Sequence, residues 1–232
     1  MNSISKHATK GFTLVELLVV IAIVAVLATL GFIGYSRVVE NAKKVQAVAQ
    51  FRDFQIGMSL FETDYTKPPI PKSKRDTGWD TIYGDPGGSY STQFLVSALA
   101  GEDKEFPYKN NEVFASKDAN PSGQAYMTFK FAPDNKGGVA KDGKLYDPWG
   151  AEVMVAINGF LALDSTDSLV PFNNGNNDSR LHTWGLAEYS ETKPKEQAYI
   201  FWSYGKDQKK GKMGASPGAV VPFAGSDDVI SW

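Results

Sequence analysis

The first long apolar run of the chain reads FTLVELLVVIAIVAVLATLGF over residues 12–32 and carries one charge, Glu16. A basic leader, residues 1–11, precedes it with Lys6 and Lys10 as its charges. About 20 apolar residues are enough to cross a bilayer as a helix, and flanking lysines favour the cytoplasmic side. We therefore expect residues 12–34 to form a transmembrane helix, with the larger C-terminal part outside.

Three other interpretations of this run fit less well. A secretory signal peptide has a shorter apolar region followed by a small-residue cleavage site, whereas this run continues into a further helical pattern. A plain membrane anchor fits the length but leaves Glu16 unexplained, because a carboxylate in hydrocarbon is costly and usually functional. A buried core helix is unexpected at this length and position.

The helical pattern continues as an amphipathic segment over residues 35–67. Apolar residues recur every three or four positions, which is the period of one helix face: Val38, Ala42, Val45, Val48, Phe51, Phe54, Met58, Phe61 and Tyr65. Proline disfavours continuation of a helix, so Pro68 and Pro69 mark its end. We predict one helix over about residues 12–66, whose second half packs on a globular head.

The remaining residues, 68–232, are long enough for one modest core. The pattern predicts a short helix at 91–99 and strands at 124–132, 153–157, 159–163 and 197–204. It predicts loops over 68–88, 102–123 and 164–180, and turns at 134–138 and 142–143. The predicted fold class is α+β, with a long N-terminal helix on a small antiparallel sheet.

Composition excludes several classes of function. The 232-residue chain has no Cys and only two His, His7 and His182, so cysteine-based metal sites, disulfides and paired-histidine catalysis are not expected. The formal net charge of −2 gives no sign of a nucleic-acid-binding surface.

Residues 11–16, GFTLVE, placed between a basic leader and an apolar run, resemble the type IV prepilin signal. The resemblance implies that a prepilin peptidase cleaves between Gly11 and Phe12 and methylates the new α-amine. Loss of Lys6 and Lys10 would bring the net charge to −4. The freed amine of Phe12, with an ordinary pKa of about 7.7–8.0, is a suitable cation for Glu16 of a neighbouring subunit. In the family, this pairing drives addition of subunits to a filament.

Two further stretches resemble the major pseudopilin of type II secretion. These are YDPWG at 146–150, followed by a strand, and YGKD at 204–207 together with DDVISW at 227–232. The second pair resembles the family's calcium loop, which implies Tyr204 (through its carbonyl), Asp207, Asp227 and Asp228 as ligands. The intervening segment departs from the family pattern and is rich in lysine, so a lysine in place of the metal is the alternative.

Enzyme-like strings are present but lack their context. GASPG at 214–218 fits a nucleophile elbow, yet Pro217 has no N–H for an oxyanion hole. Residues 138–144 fit a phosphate-binding loop, but Leu145 stands where Ser or Thr would hold magnesium. An acidic, Asn-rich stretch at 164–180 matches no EF-hand spacing. We do not expect an enzyme.

The resemblance implies a subunit of a type II secretion pseudopilus. It would be anchored once in a bacterial inner membrane, with its head in the periplasm. Its implied partners are further copies of itself, minor pseudopilins, an inner-membrane assembly platform and prepilin peptidase, with no nucleic acid. The alternatives are a type IV pilin for adhesion, motility or DNA uptake, and a membrane-anchored periplasmic binding module.

Overall fold

A computed structural model describes residues 12–71, 81–86, 90–107, 113–158, 198–209 and 226–231, without the side chains of residues 30–34. The chain divides into two compact units, Met1–Ala42 and Lys43–Trp232. The leader, the predicted strand at 159–163 and the loop at 164–180 lie outside the described residues. The predicted boundary between the apolar and amphipathic parts of the helix, at residue 34, and the boundary with the head, at residue 67, stay predictions.

Helix α1, Leu14–Tyr65, confirms the predicted long helix. Thr66, with φ of 58°, ends it two residues before Pro68. Among the described residues, no helix is both long enough and apolar enough to cross a membrane.

The second half of α1 buries a regular stripe of Ala47, Phe51, Phe54, Met58 and Phe61. This confirms the predicted stripe from Phe51 onward. The placement of Val38, Ala42 and Val45 on that stripe was wrong, because all three side chains are exposed. At about 100° per residue, Val45 lies about 120° around the helix from Phe51, whereas Ala47 lies about 40° away. A strict three-residue step therefore drifts off the buried face.

Among the described residues, the central sheet consists of four strands, which follow here in their order across it, each antiparallel to the next. They are β1 (Thr81–Tyr83), β6 (Met154–Ile157), β7 (Tyr199–Ser203) and β8 (Val229–Ile230). Strands β6 and β7 confirm the prediction. Strand β1 lies within the predicted loop at 68–88, which was therefore wrong there.

One face of this sheet packs on α1. Val155, Ile157, Tyr199 and Phe201 belong to the same buried cluster as the α1 stripe. The Phe201 ring meets Phe54 edge-to-face, with centroids 5.4 Å apart. Such aromatic pairs add to the hydrophobic gain from burial, so they fix the register between helix and sheet.

Smaller elements surround the sheet. Helix α2 (Gln93–Ala100) confirms the predicted short helix. Strands β4 (Gly138–Val139) and β5 (Leu145–Tyr146) form a hairpin whose loop contains the predicted turn at 142–143, and the predicted turn at 134–138 leads into β4. The loop predicted at 102–123 was wrong, because β2 (Glu105–Pro107) pairs with β3 (Val113–Ala115), and the one-turn helix α3 (Ser116–Ala119) follows.

The strand predicted at 124–132 was also wrong. Tyr126 and Met127 both donate their backbone N–H to Leu99 O, at the end of α2. The ring of Phe129 lies 5.7 Å from that of Phe54. The segment's apolar side chains therefore cover α1, and only Phe131 forms a β-bridge, with Val139.

Candidate functional site

The start of α1 is built around Thr13 and Glu16. Glu16 Oε2 accepts hydrogen bonds from the backbone N–H of Thr13 at 2.8 Å and from Thr13 Oγ1 at 2.7 Å. Thr13 Oγ1 in turn accepts the N–H of Glu16 at 3.2 Å. This reciprocal pattern is a capping box, which satisfies N–H groups that have no partner inside the helix.

The capping box was missed in the sequence, although its signature is present. A Ser or Thr followed three residues later by Glu, just before an apolar run, marks a helix start. Glu16 was interpreted only as a charge awaiting a partner. In the structure it also fixes where α1 begins.

Phe12 and the following turns present apolar side chains to the outside. Phe12 is 80% exposed, and Leu14, Leu17, Ile21 and Val24 are all more than half exposed. Gly11 lies outside the described residues. An apolar surface this extensive is typical of a segment that is covered by lipid or by another protein.

Residues 6–32 match the family described as the prokaryotic N-terminal methylation motif, the hallmark of type IV prepilin-like proteins. The chain carries this prepilin motif. No curated protein matches the chain, and no solved structure does. The motif implies processing by a prepilin peptidase and pilus-like assembly from a membrane anchor, without distinguishing a pilus from a secretion pseudopilus.

In the globular head, Asp147 organises the predicted turn at 146–150. Its Oδ1 accepts the backbone N–H groups of Trp149, Gly150 and Ala151 at 2.8–2.9 Å. Its Oδ2 accepts the hydroxyl of Ser203, on β7. Burial raises the pKa of Asp147, and these hydrogen bonds oppose that rise.

The same network reaches the C-terminal loop. Ser203 Oγ accepts the N–H of Gly205 at 3.0 Å. Gly205 has φ of 66°, and a Cβ there would lie 2.3 Å from the backbone oxygen of Asp227. The two stretches that resemble pseudopilins, 146–150 and 204–207 with 227–232, therefore join at Ser203 and Gly205.

The predicted calcium ligands come together only in part. The N–H of Asp207 donates to Asp227 Oδ2 at 2.9 Å, and Asp228 is buried before β8. Asp227 Oδ1 is buried and has no hydrogen-bond partner, which is an arrangement that suits a hard cation. Within the described ranges, however, no three acidic or histidine side chains cluster as a metal site.

The enzyme-like strings gain no support from the described residues. The loop-like string at 138–144 forms the β4–β5 hairpin, with no helix after it. GASPG at 214–218 and His182 lie outside the described residues.

Proposed function

We propose that this chain is the structural subunit of a type II secretion pseudopilus. The prepilin methylation motif at residues 6–32 carries the proposal of a filament subunit, and the two stretches of the head that resemble the major pseudopilin support the choice of a pseudopilus. The proposed function is mechanical. Addition of subunits at the membrane lengthens a short filament, and the growing filament moves exported proteins. No catalytic group is required of the chain itself.

Assembly is proposed to run through Phe12 and Glu16. After cleavage behind Gly11, the α-amine of Phe12 is a cation at neutral pH. Both hydrogen bonds from Thr13 end on Glu16 Oε2, and no described residue donates to Oε1. One carboxylate oxygen is thus available to the amine of a neighbouring subunit while the other caps the helix.

The exposed apolar surface of α1 would supply cohesion. Its side chains, from Phe12 to Leu27, would contact lipid before assembly and other copies of α1 afterwards. The proposed location is a bacterial inner membrane, crossed once, with the head in the periplasm. The proposed partners are further copies, minor pseudopilins, the inner-membrane assembly platform and prepilin peptidase.

The pseudopilus is favoured over a type IV pilus by the head. The Asp147 turn and the segment around Asp227 correspond to the two stretches that resemble the major pseudopilin, and they share the Ser203 network. The absence of Cys also excludes the C-terminal disulfide that many pilins carry. A type IV pilin is the second candidate, and an unprocessed membrane-anchored binding module the third.

Mass spectrometry of the N-terminal peptide, from protein made in a native membrane, tests the proposal. We expect a peptide that begins at N-methylated Phe12, and we expect Gly11→Val, which places a bulky side chain at the cleavage site, to remain uncut. A wild-type peptide that still begins at Met1, with active peptidase present, would contradict filament assembly and leave the binding module.

A deletion strain separates the two filaments. Loss of protein export to the medium, with normal surface pili, is expected for a pseudopilin. Loss of surface pili with normal export would instead indicate a type IV pilin.

A further inference from the structure

Lys44 stands where the buried stripe of α1 would place an apolar residue. The stripe, from Ala47 to Phe61, advances by steps of three and four residues, and the next step back along the helix is Lys44. At about 100° per residue, Lys44 lies about 20° around the helix axis from Phe51. Its side chain is partly buried, so a cation lies at the edge of the core.

The ammonium group of Lys44 contacts residues 226–228, which we call the 226–228 segment. Lys44 Nζ donates to Ser226 O at 3.3 Å, although 182 positions separate the two residues. This oxygen belongs to the peptide group that leads into Asp227. A lysine at the edge of a core commonly extends its charge into water. Here the charge ends on a backbone oxygen that is distant in sequence.

The 226–228 segment has hydrogen-bond acceptors without donors. Ser226 Oγ and Asp227 Oδ1 are both buried and have no hydrogen-bond partner. Asp227 Oδ2 accepts the N–H of Asp207, and within the described ranges no ion pair reaches the carboxylate of Asp227. Buried acceptors and charges are costly without a partner. The ammonium group of Lys44, which has three N–H groups, is a cation placed beside them.

We propose that Lys44 is the built-in cation of the 226–228 segment. Its ammonium group holds Ser226 O when no metal is bound, so the segment stays on α1 without calcium. A calcium ion at Asp227 would draw on the same kinds of oxygen, carbonyl and carboxylate, and like charges repel each other. Lys44 and calcium therefore compete. This role of Lys44 is independent of filament assembly.

Amide hydrogen exchange of the full-length chain in detergent micelles, followed by mass spectrometry, tests the first half of the proposal. In chelator, Lys44→Met should speed exchange at Asp207, whose N–H is held by Asp227. The expected factor is about three to ten, the usual worth of one hydrogen bond. Lys44→Arg keeps a charged donor and should exchange as wild type does. Lys43→Met makes the same change of charge one residue away and should have no effect.

Ile200 separates a local effect from a general loss of stability. It is fully buried on β7 and pairs with Ala156 of β6. Exchange at Ile200 should stay unchanged in Lys44→Met while exchange at Asp207 becomes faster. If both positions speed up by the same factor, or if neither does, Lys44 does not hold the 226–228 segment and the proposal is overturned.

Isothermal titration with calcium tests the competition. Lys44→Met should bind calcium about two- to fivefold more tightly than wild type, the range for partly exposed charges, and calcium should return exchange at Asp207 to the wild-type rate. Lys43→Met should bind calcium as wild type does. Weaker calcium binding by Lys44→Met would overturn the competition, because Lys44 would then help to build the site. If wild type and Lys44→Met bind no calcium, the competition is likewise overturned, and exchange in chelator alone decides the role of Lys44.

Discussion

Thr13 and Glu16 cap the start of α1 with each other's side chains, through bonds of 2.8 Å and 3.2 Å between each backbone N–H and the other's side-chain oxygen. Glu16 therefore has two separable properties. As a hydrogen-bond acceptor it fixes the first turn of the helix, and as a charge it can meet the amine of a neighbour. The two properties can be removed one at a time, since Gln also serves in a capping box.

We predict that Glu16→Gln abolishes filament assembly and leaves insertion into the membrane intact. Gln retains the acceptor for Thr13 but not the charge for the Phe12 amine. Thr13→Val removes the two bonds of the hydroxyl group and retains the charge, so it should assemble, although less efficiently. Filaments in membrane extracts, counted by electron microscopy after confirming equal processing at Gly11, provide the measurement.

Thr13→Ser is the matched control, because its hydroxyl preserves the cap, and it should assemble as wild type. If Thr13→Val fails completely and Glu16→Gln assembles, the cap and not the charge is what assembly requires. If the Glu16→Ala variant forms normal filaments, assembly requires neither the cap nor the charge that Glu16 supplies.

We predict that stability of the head falls as pH rises from about 4.5 to 7, and that Glu62 is one cause. Burial raises the pKa of Glu62 to about 7, and its Oε1 is buried without a hydrogen-bond partner. Between pH 4.5 and 7 the folded state holds a proton that the unfolded state has lost, so raising the pH costs stability. Above pH 7 this contribution is constant.

Glu62→Gln removes that carboxylate and should stabilise the protein at pH 8 by about 1–2 kcal/mol, a value reduced because Glu62 is only half-buried. The gain should vanish near pH 4. Thermal unfolding at both pH values, followed by near-UV circular dichroism, measures it. Asp53→Asn, at an exposed position of the same helix, should show no such difference; a similar gain there would mean that net charge, not burial, is responsible.

We predict that Asp147→Ala destabilises the head by roughly 2–4 kcal/mol, because several buried groups lose their acceptor. Asp147→Asn should cost much less. Its amide oxygen can replace Oδ1 for the three N–H groups of the turn, and its NH₂ can donate to Ser203. Chemical denaturation of the three proteins gives the comparison, and equal losses for Ala and Asn would show that the charge is essential.

The parts of the fold that the sequence predicted well are those with a strong local pattern. Helix α1 joins a continuous apolar run to an amphipathic segment of helical period, and β6 and β7 are short apolar segments. The turn at Asp147 is specified locally, since this one side chain accepts the N–H groups of the three residues 149–151.

The parts that failed depend on distant contacts. Residues 124–132 have a strand-like composition, but Phe129 is used to cover Phe54 of α1, more than 70 positions away. Strand β8 has only two residues and forms because Ser203 and Trp202 pair with Val229 and Ile230. The capping box is encoded locally as well, since Thr13 and Glu16 stand three residues apart just before an apolar run.

We predict that calcium binds at Asp227 and stabilises the protein. Its buried Oδ1 lacks a hydrogen-bond partner, so a hard cation would satisfy it. With a dissociation constant near 1 mM, as in weak extracellular sites, 10 mM calcium should stabilise the protein by about 1.4 kcal/mol. Thermal unfolding with calcium, with magnesium and with a chelator measures this.

Asp227→Asn should lose the response to calcium, and Asp134→Asn, at an exposed turn position, should retain it. If no cation binds, Asp227→Asn removes the negative charge beside the buried Oδ1 that has no hydrogen-bond partner, so the variant would be more stable than wild type in chelator and in calcium alike. An equal calcium response in wild type and Asp227→Asn would place the ion elsewhere. The sign of the Asp227→Asn effect in calcium therefore separates a metal ligand from an unsatisfied carboxylate.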